Sequence, residues 1–277
     1  MSNRLSFDRQ TAIISALCEG SSIRGISRMM DTDKDTIMDL GRRVGSACTK
    51  YLDERMVNLG CHRLECDEFW TYIFRKEARC QPEHFAQGHG DAYVFTALDP
   101  DTKLIPAFRV GRRDYVNTNL FLGDLASRLK YRIQLSSDGL QHYAPAVETV
   151  WGVGIDYGQI VKTYESPEQA EQRKYSPPKV VRVSKSVIVG SPDEEQISTS
   201  LIEKSNHTAR MHNRRLMRLT NGFSKKLENL KAAMGLWFAY YNLVKFHKTI
   251  RCTPAMAAGV ERSPLTVEDL VFFSYQQ

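Results

Sequence analysis

An α/β fold, a mixed sheet with flanking helices behind an all-α N-terminal segment, follows from three features of this 277-residue sequence. Residues 6–58 carry helical periodicity throughout. From residue 63 the pattern changes to short apolar runs separated by turn residues. Those runs then alternate with helical stretches in the order strand, strand, strand, helix, strand, helix, strand. We expect an all-helical domain at 1–58, an α/β domain at 59–250 with an extension at 165–198, and a C-terminal tail at 251–277.

Bulk composition bounds the function without choosing it. A hydrophobic content of 42% and a charged content of 25% are those of an ordinary globular protein. The net charge of +6 permits a polyanionic partner but does not require one. No uncharged apolar run approaches the ~20 residues of a membrane span. The opening residues Met1 to Ser6 have no signal-peptide core. A cytoplasmic location is expected, nucleoid-associated in a prokaryote, with no membrane partner. The 6 cysteines are scattered with no Cys-x-x-Cys pair. Cys61, His62, Cys66, Cys80 and His84 have irregular spacings for zinc and read as core or free thiols.

In the helical segment, Ile13, Ile14 and Leu17 form one apolar face, stopped by Glu19-Gly20. Ser21 or Ser22 can cap a short second helix with Ile23, Ile26 and Met30 inward. Asp31-Thr32-Asp33 makes a tight turn. A third helix turns Ile37, Leu40 and Val44 inward and leaves Lys34, Thr36, Arg42 and Arg43 outside. Two short helices joined by such a turn describe a helix-turn-helix with residues 34–45 as recognition helix. A plain three-helix bundle has the same pattern.

The first strand, 63–74, surrounds the adjacent acids Asp67 and Glu68 with Leu64, Cys66, Phe69, Trp70, Tyr72, Ile73 and Phe74. Strands at 92–99 and 103–111 follow, then a helix at 117–129, a strand from 131 ending at Asp138, a helix at 142–151 and a strand at 155–164. This is the order of a ribonuclease H-like core. In that order the first and fourth strands are neighbours, so Asp67 and Asp138 can share a cation. Residues 165–198 have a different composition, with a Val-rich run at 180–189 between proline-bearing stretches, and read as a surface extension or strand pair.

From residue 199 a further helix is expected, with Glu203, Asn206, Arg210 and Asn213 or Arg214 along one face. Between residues 204 and 231 stand 8 Lys or Arg against the single acid Glu228. Such a run is commonly a solvated face, but beside a metal carboxylate it suits phosphate contact. A last helix carries Leu227, Leu230, Met234, Trp237, Tyr241 and Val244 at helical steps, a stripe for packing on the sheet. A buried carboxylate is costly unless paired or bound to a cation. One strand acid, one strand-end acid and one helical Glu suggest a two-metal nucleotidyl-transfer site.

At Asp67-Glu68, Ser137-Asp138-Gly139, Ile202 to Asn206 and Arg214 to Lys226, the chain resembles transposases of the insertion-sequence-one family. The tail, Tyr240 to His247 and Thr253 to Val260, is similar to that of many insertion-sequence transposases. The likeness covers about residues 7–260. Members often begin with a cysteine-rich zinc finger, which residues 7–58 do not carry. The resemblance implies a DDE transposase that cuts and joins insertion-sequence ends. Asp67, Asp138 and Glu203 would hold two Mg²⁺ ions, with Mn²⁺ as substitute. It further implies double-stranded DNA at element ends and in the target as partner, and a homo-oligomer on DNA. Lys34, Thr36, Arg42, Arg43, Asn206, Arg210, Arg214, Arg215, Arg218, Lys225 and Lys226 are the expected DNA contacts. A transposase-derived DNA-binding regulator without chemistry and a metal-dependent DNA nuclease are the alternatives.

Overall fold

The computed structural model describes residues 5–164, 180–217 and 220–276. Three helices open the chain: α1 (Phe7–Cys18), α2 (Ile23–Met29) and α3 (Lys34–Arg55). Each start is capped by an oxygen side chain: Ser6 accepts from the Arg9 amide, Ser22 from Gly25 and Asp33 from Asp35. Helix α3 is a single element of 22 residues, so residues 34–45 are only its first half. Its second half buries Ala47, Cys48 and Leu52 and packs along the helix Leu227–Ala239. The two backbones nearly touch there. A Cβ on Gly45 would lie 2.0 Å from the Ala232 carbonyl oxygen, and one on Gly235 would lie 2.0 Å from Thr49 Oγ1.

The middle of the chain gives β1 (Arg63–Ile73), the short α4 (Pro82–Ala86), β2 (Gly90–Leu98), β3 (Phe108–Gly111) and α5 (Tyr115–Arg128). These lead to β4 (Gln134–Asp138), α6 (Tyr143–Trp151), β5 (Asp156–Tyr164) and β6 (Val180–Val189). The six strands form one mixed sheet in the order β3-β2-β1-β4-β5-β6. β1 runs antiparallel to β2 and parallel to β4, and β5 closes antiparallel with β6. The expected strand 103–111 shrinks to its last four residues. Pro106 has no amide to give a ladder, and Lys103 turns at φ 65°. The Val-rich run is edge strand β6; the other part of the expected extension, 165–179, lies outside the described residues.

Register separates the two faces of the sheet. Glu68 stands opposite Phe95, and the Phe95 ring meets Phe121 of α5 at 5.8 Å, so α5 covers that face. Asp67 stands opposite Thr96, and this face is covered by α7 (Ser200–His212), whose Asn206 bonds both residues. α7 ends before Arg214, which corrects the expected continuous face. Asn213 leaves helical backbone at φ −120°, and its side chain accepts from the Arg215 amide. The chain then reaches α8 (Leu227–Ala239), a π-type turn at Tyr240–Val244, α9 (Pro254–Ala257) and α10 (Val267–Phe273). The apolar stripe of α8 lies mainly on α3 and meets the sheet where Phe238 packs 4.6 Å from Phe108. The tail joins the same core, with Phe273 stacked 4.0 Å from Tyr51. Among the described residues no helix is long and apolar enough to cross a membrane.

Candidate active site

The site arises where β1 loses a neighbour. β1 is bonded to β4 only from Arg63 to Cys66, while its pairing with β2 continues to Ile73. β4 ends at Asp138, just beyond the last shared rung. Past that rung the β4 side of β1 is open, so side chains from either face can turn round the edge. Adjacent strand residues point to opposite faces, which predicts that Glu68 stays away from Asp67. Single carboxylate oxygens of Asp67, Glu68 and Asp138 nevertheless lie within 4.8 Å of one another at this open edge.

Each acid is held differently. Asp67 accepts from Asn206 Nδ2 at 2.9 Å, and Asn206 is fixed in turn by Thr96 Oγ1 at 2.9 Å. Burial pushes the Asp67 carboxyl up to about 6, with Asp138 adding to the shift against the Asn206 hydrogen bond. Glu68 takes Arg113 Nε at 2.7 Å on one oxygen and the Tyr143 hydroxyl at 3.2 Å on the other. Burial, then the charge of Asp138, push Glu68 up to about 7 despite Arg113. Asp138 accepts the Leu140 amide at 3.0 Å and lies 3.9 Å from Arg113. Three crowded carboxylates, two of them resisting ionisation, are a donor set suited to a hard divalent cation. Among the described residues this is the one group of three possible metal-binding side chains that the geometry brings together. Cys61 and Cys66 are instead buried in the core, away from any zinc set.

Glu203 enters from the first turn of α7. It is outside the 4.8 Å group, is paired with Lys162 and accepts from Thr199 Oγ1 at 2.6 Å. Its charge nevertheless contributes to the raised Asp67 value. What aims α7 is Glu65, buried on β1 on the same face as Asp67. Its Oε2 accepts the Leu201 and Ile202 amides, both at 2.9 Å, and so caps a helix that has no side-chain cap of its own. Sequence reasoning missed Glu65, although an acid two residues before Asp67 shares its face. It also missed Arg113, Tyr143, Thr96 and Lys162, which only the topology brings near.

The expected DNA contacts divide. Lys34, Arg42, Arg214, Arg215, Lys225 and Lys226 line one groove of about 990 Å³ between α2–α3 and the segment leading into α8, with Arg24 beside them. Arg215 is the most enclosed of these. Burial lowers its pKa, its guanidinium donates to Ser224 Oγ at 3.3 Å, and no carboxylate pairs with it among the described residues. Thr36 is exposed on α3. Arg43 turns away, to Gln10 at 2.7 Å and the face of Tyr275. Asn206 is not at the surface; it is 6% exposed and belongs to the Asp67 support. Arg210 donates to the Trp70 carbonyl at 2.8 Å and lies over Phe69. Arg218 is outside the described residues.

The chain thus presents a cluster of three carboxylates at the sheet edge and, lined by other residues, a groove with several Lys and Arg. No protein-family model matches the chain, and no curated protein matches it either. Among solved structures it is similar to a piggyBac transposase synaptic complex with hairpin DNA, at TM-score 0.42 and 10% identity over 97% of this chain and 69% of that one. It is also similar to a Mos1 transposase paired-end complex with left transposon end, at TM-score 0.22 and 12% identity over 54% of this chain and 57% of that one. Both likenesses are too distant to show a shared activity.

Proposed function

We propose that this chain is a DNA transposase of the DDE type with a ribonuclease H-like core, cutting and joining the ends of an insertion sequence. The observation that carries the reading is the carboxylate cluster at the end of β4, whose oxygens lie within 4.8 Å; a groove elsewhere on the surface supplies several Lys and Arg. Asp67 and Asp138 hold the cation and Glu203 completes the set from α7. Glu68 is the weaker choice for third ligand because both its oxygens already have donors, Arg113 and Tyr143. Glu203 is held by Lys162 and Thr199 and its side chain is 44% exposed, free to turn inward. A bound Mg²⁺ or Mn²⁺ supplies Lewis-acid activation of a water or 3′-hydroxyl and charge relief at the leaving oxygen.

The protein's own groups do the remaining work. Asn206 fixes the Asp67 carboxylate and Glu65 fixes the start of α7. Arg113, bonded to Glu68 and 3.9 Å from Asp138, can turn a donor to a phosphate oxygen. The first half of α3 reads DNA as the second helix of a helix-turn-helix, with Lys34, Thr36 and Arg42 outward. The groove cations hold the backbone by releasing counterions. The test is incubation of the full chain with its flanking genomic DNA and Mg²⁺ or Mn²⁺, with cleaved and joined strands resolved on a gel. Cleavage without joining would favour a nuclease. Binding without either would favour a regulator.

A further inference from the structure

Beyond the carboxylates, the open half of β1 carries a row of aromatic rings that the acid chemistry does not use. On the Glu68 face the next strand positions are Trp70 and Tyr72, and Tyr93 of β2 stands directly opposite Trp70. All three are half-buried, whereas Phe95, one step back toward the core, is fully covered. The covering helix α5 therefore stops where the row begins. Trp70 and Tyr72 have ring centroids 5.5 Å apart, and Phe223, from the segment before α8, extends the row 4.8 Å beyond Tyr72. Cations flank it: Lys76 Nζ lies 5.5 Å over Trp70, and Arg113 lies 5.6 Å over Tyr93 while bonding Glu68. Aromatic side chains serving only as core would be covered. Rings left half-open on a sheet surface, with cations at their faces and an acid cluster at one end, have the make-up of a nucleobase-stacking platform.

We propose that this platform takes an unpaired nucleobase of the strand whose phosphate lies at Asp67 and Asp138; the inference rests on the DNA-cutting reading above. From Glu68 to Trp70 is two strand residues, ~7 Å, close to the ~7 Å spanned by two nucleotide steps of a stacked strand. The base that stacks on Trp70 is thus about two nucleotides from the reacting phosphate. A base stacked within the duplex has both faces covered, whereas an unpaired base can be splayed onto these rings, so the platform favours frayed over fully paired ends.

The test uses the full chain in Ca²⁺, so that binding is read apart from cleavage. Its probes are a fully paired duplex and the same duplex with a short single-stranded overhang containing 2-aminopurine. The overhang should bind more tightly, and 2-aminopurine fluorescence should be quenched on binding. Trp70→Ala should weaken overhang binding ~5- to 100-fold, leave duplex binding unchanged and relieve the quenching, while Trp70→Phe retains all three properties. Tyr72→Leu serves as a second variant whose folding is checked by thermal unfolding. Equal affinity for both probes, or an overhang preference indifferent to Trp70 and Tyr72, would overturn the platform while leaving the cutting reading intact. Failure to bind either DNA would overturn both. Retention of the overhang preference in Asp67→Asn, with cleavage lost, would support both.

Discussion

The two halves of β1 hold the same kind of residue under opposite conditions. In the first half, flanked by β2 and β4, Glu65 is 4% exposed and takes two amides at the start of α7. In the second half, flanked by β2 alone, Glu68 is 9% exposed and shares its surroundings with two further acids. Both carboxyls are raised by burial, but at Glu65 the two amides oppose that ahead of the charge of Glu203, while at Glu68 the charge of Asp138 reinforces it ahead of the opposing Arg113. Burial of an acid therefore does not by itself mark a reactive site. What marks it is negative charge that the protein's own donors leave uncompensated.

The sharpest way to break this contrast is to remove acids from each half. Asp67→Asn, Asp138→Asn and Glu203→Gln should each reduce metal-dependent cleavage to background while DNA binding persists. Glu68→Gln should lower the rate and keep measurable product. Full loss in Glu68→Gln with normal cleavage in Glu203→Gln would exchange their roles. Next in size, Glu65→Ala should cost about 3 kcal/mol, since two charge-assisted hydrogen bonds to buried amides are lost. The readout is the urea midpoint, and an unchanged midpoint would mean that α7 does not depend on this cap.

The uncompensated half should also reveal itself through pH. Folded values raised to about 6 for Asp67 and about 7 for Glu68 mean that the folded chain keeps protons which the unfolded chain releases near pH ~4. Their contribution to stability is full below that range and is lost as pH rises through the folded values, a change on the order of 1 to 3 kcal/mol. Mg²⁺ at millimolar concentration should offset the loss, raising the thermal midpoint more at pH 8 than at pH 5. An equal rise at both would place metal binding elsewhere. The smallest expected effect belongs to the groove. Arg214→Ala and Arg215→Met should each lower the salt dependence of DNA affinity by about one phosphate contact. Arg215→Met should also leave stability equal or higher, because it removes an enclosed guanidinium that has no carboxylate partner among the described residues. Unchanged salt slopes would reduce these cations to a solvated face.

The sequence made the sheet legible because its runs are apolar and well punctuated, and the adjacency of the first and fourth strands followed from element order. The closeness of Asp67 and Asp138 was legible for the same reason, since element order sets the first and fourth strands side by side. Alternation puts Glu68 on the face opposite Asp67, as the register has it, but does not reveal that their oxygens come close where β4 ends. Arg214 was misplaced because periodicity continued past Asn213, whose side chain diverts the backbone. Asn206 reads as a DNA contact on the Glu203 face and Arg43 as an outward cation, yet their partners, Asp67 and Gln10, come from distant parts of the chain. Trp70 and Tyr72 read simply as buried strand, since composition cannot say where a covering helix stops.

Gly45 and Gly235 bear on how this protein can vary over generations. At either glycine a methyl group would meet backbone atoms of the facing helix, so no substitution on that helix can make the room and both positions should stay glycine. The contact of α3 with α8 is thus pinned at two positions nearly two hundred apart in the chain. A hybrid that borrows residues 1–58 from a relative should fold only if the borrowed α3 carries glycine at position 45. On the DNA-reading proposal above, sequence preference would then change by substitutions on the outer face of α3, which leave the Gly45 contact in place.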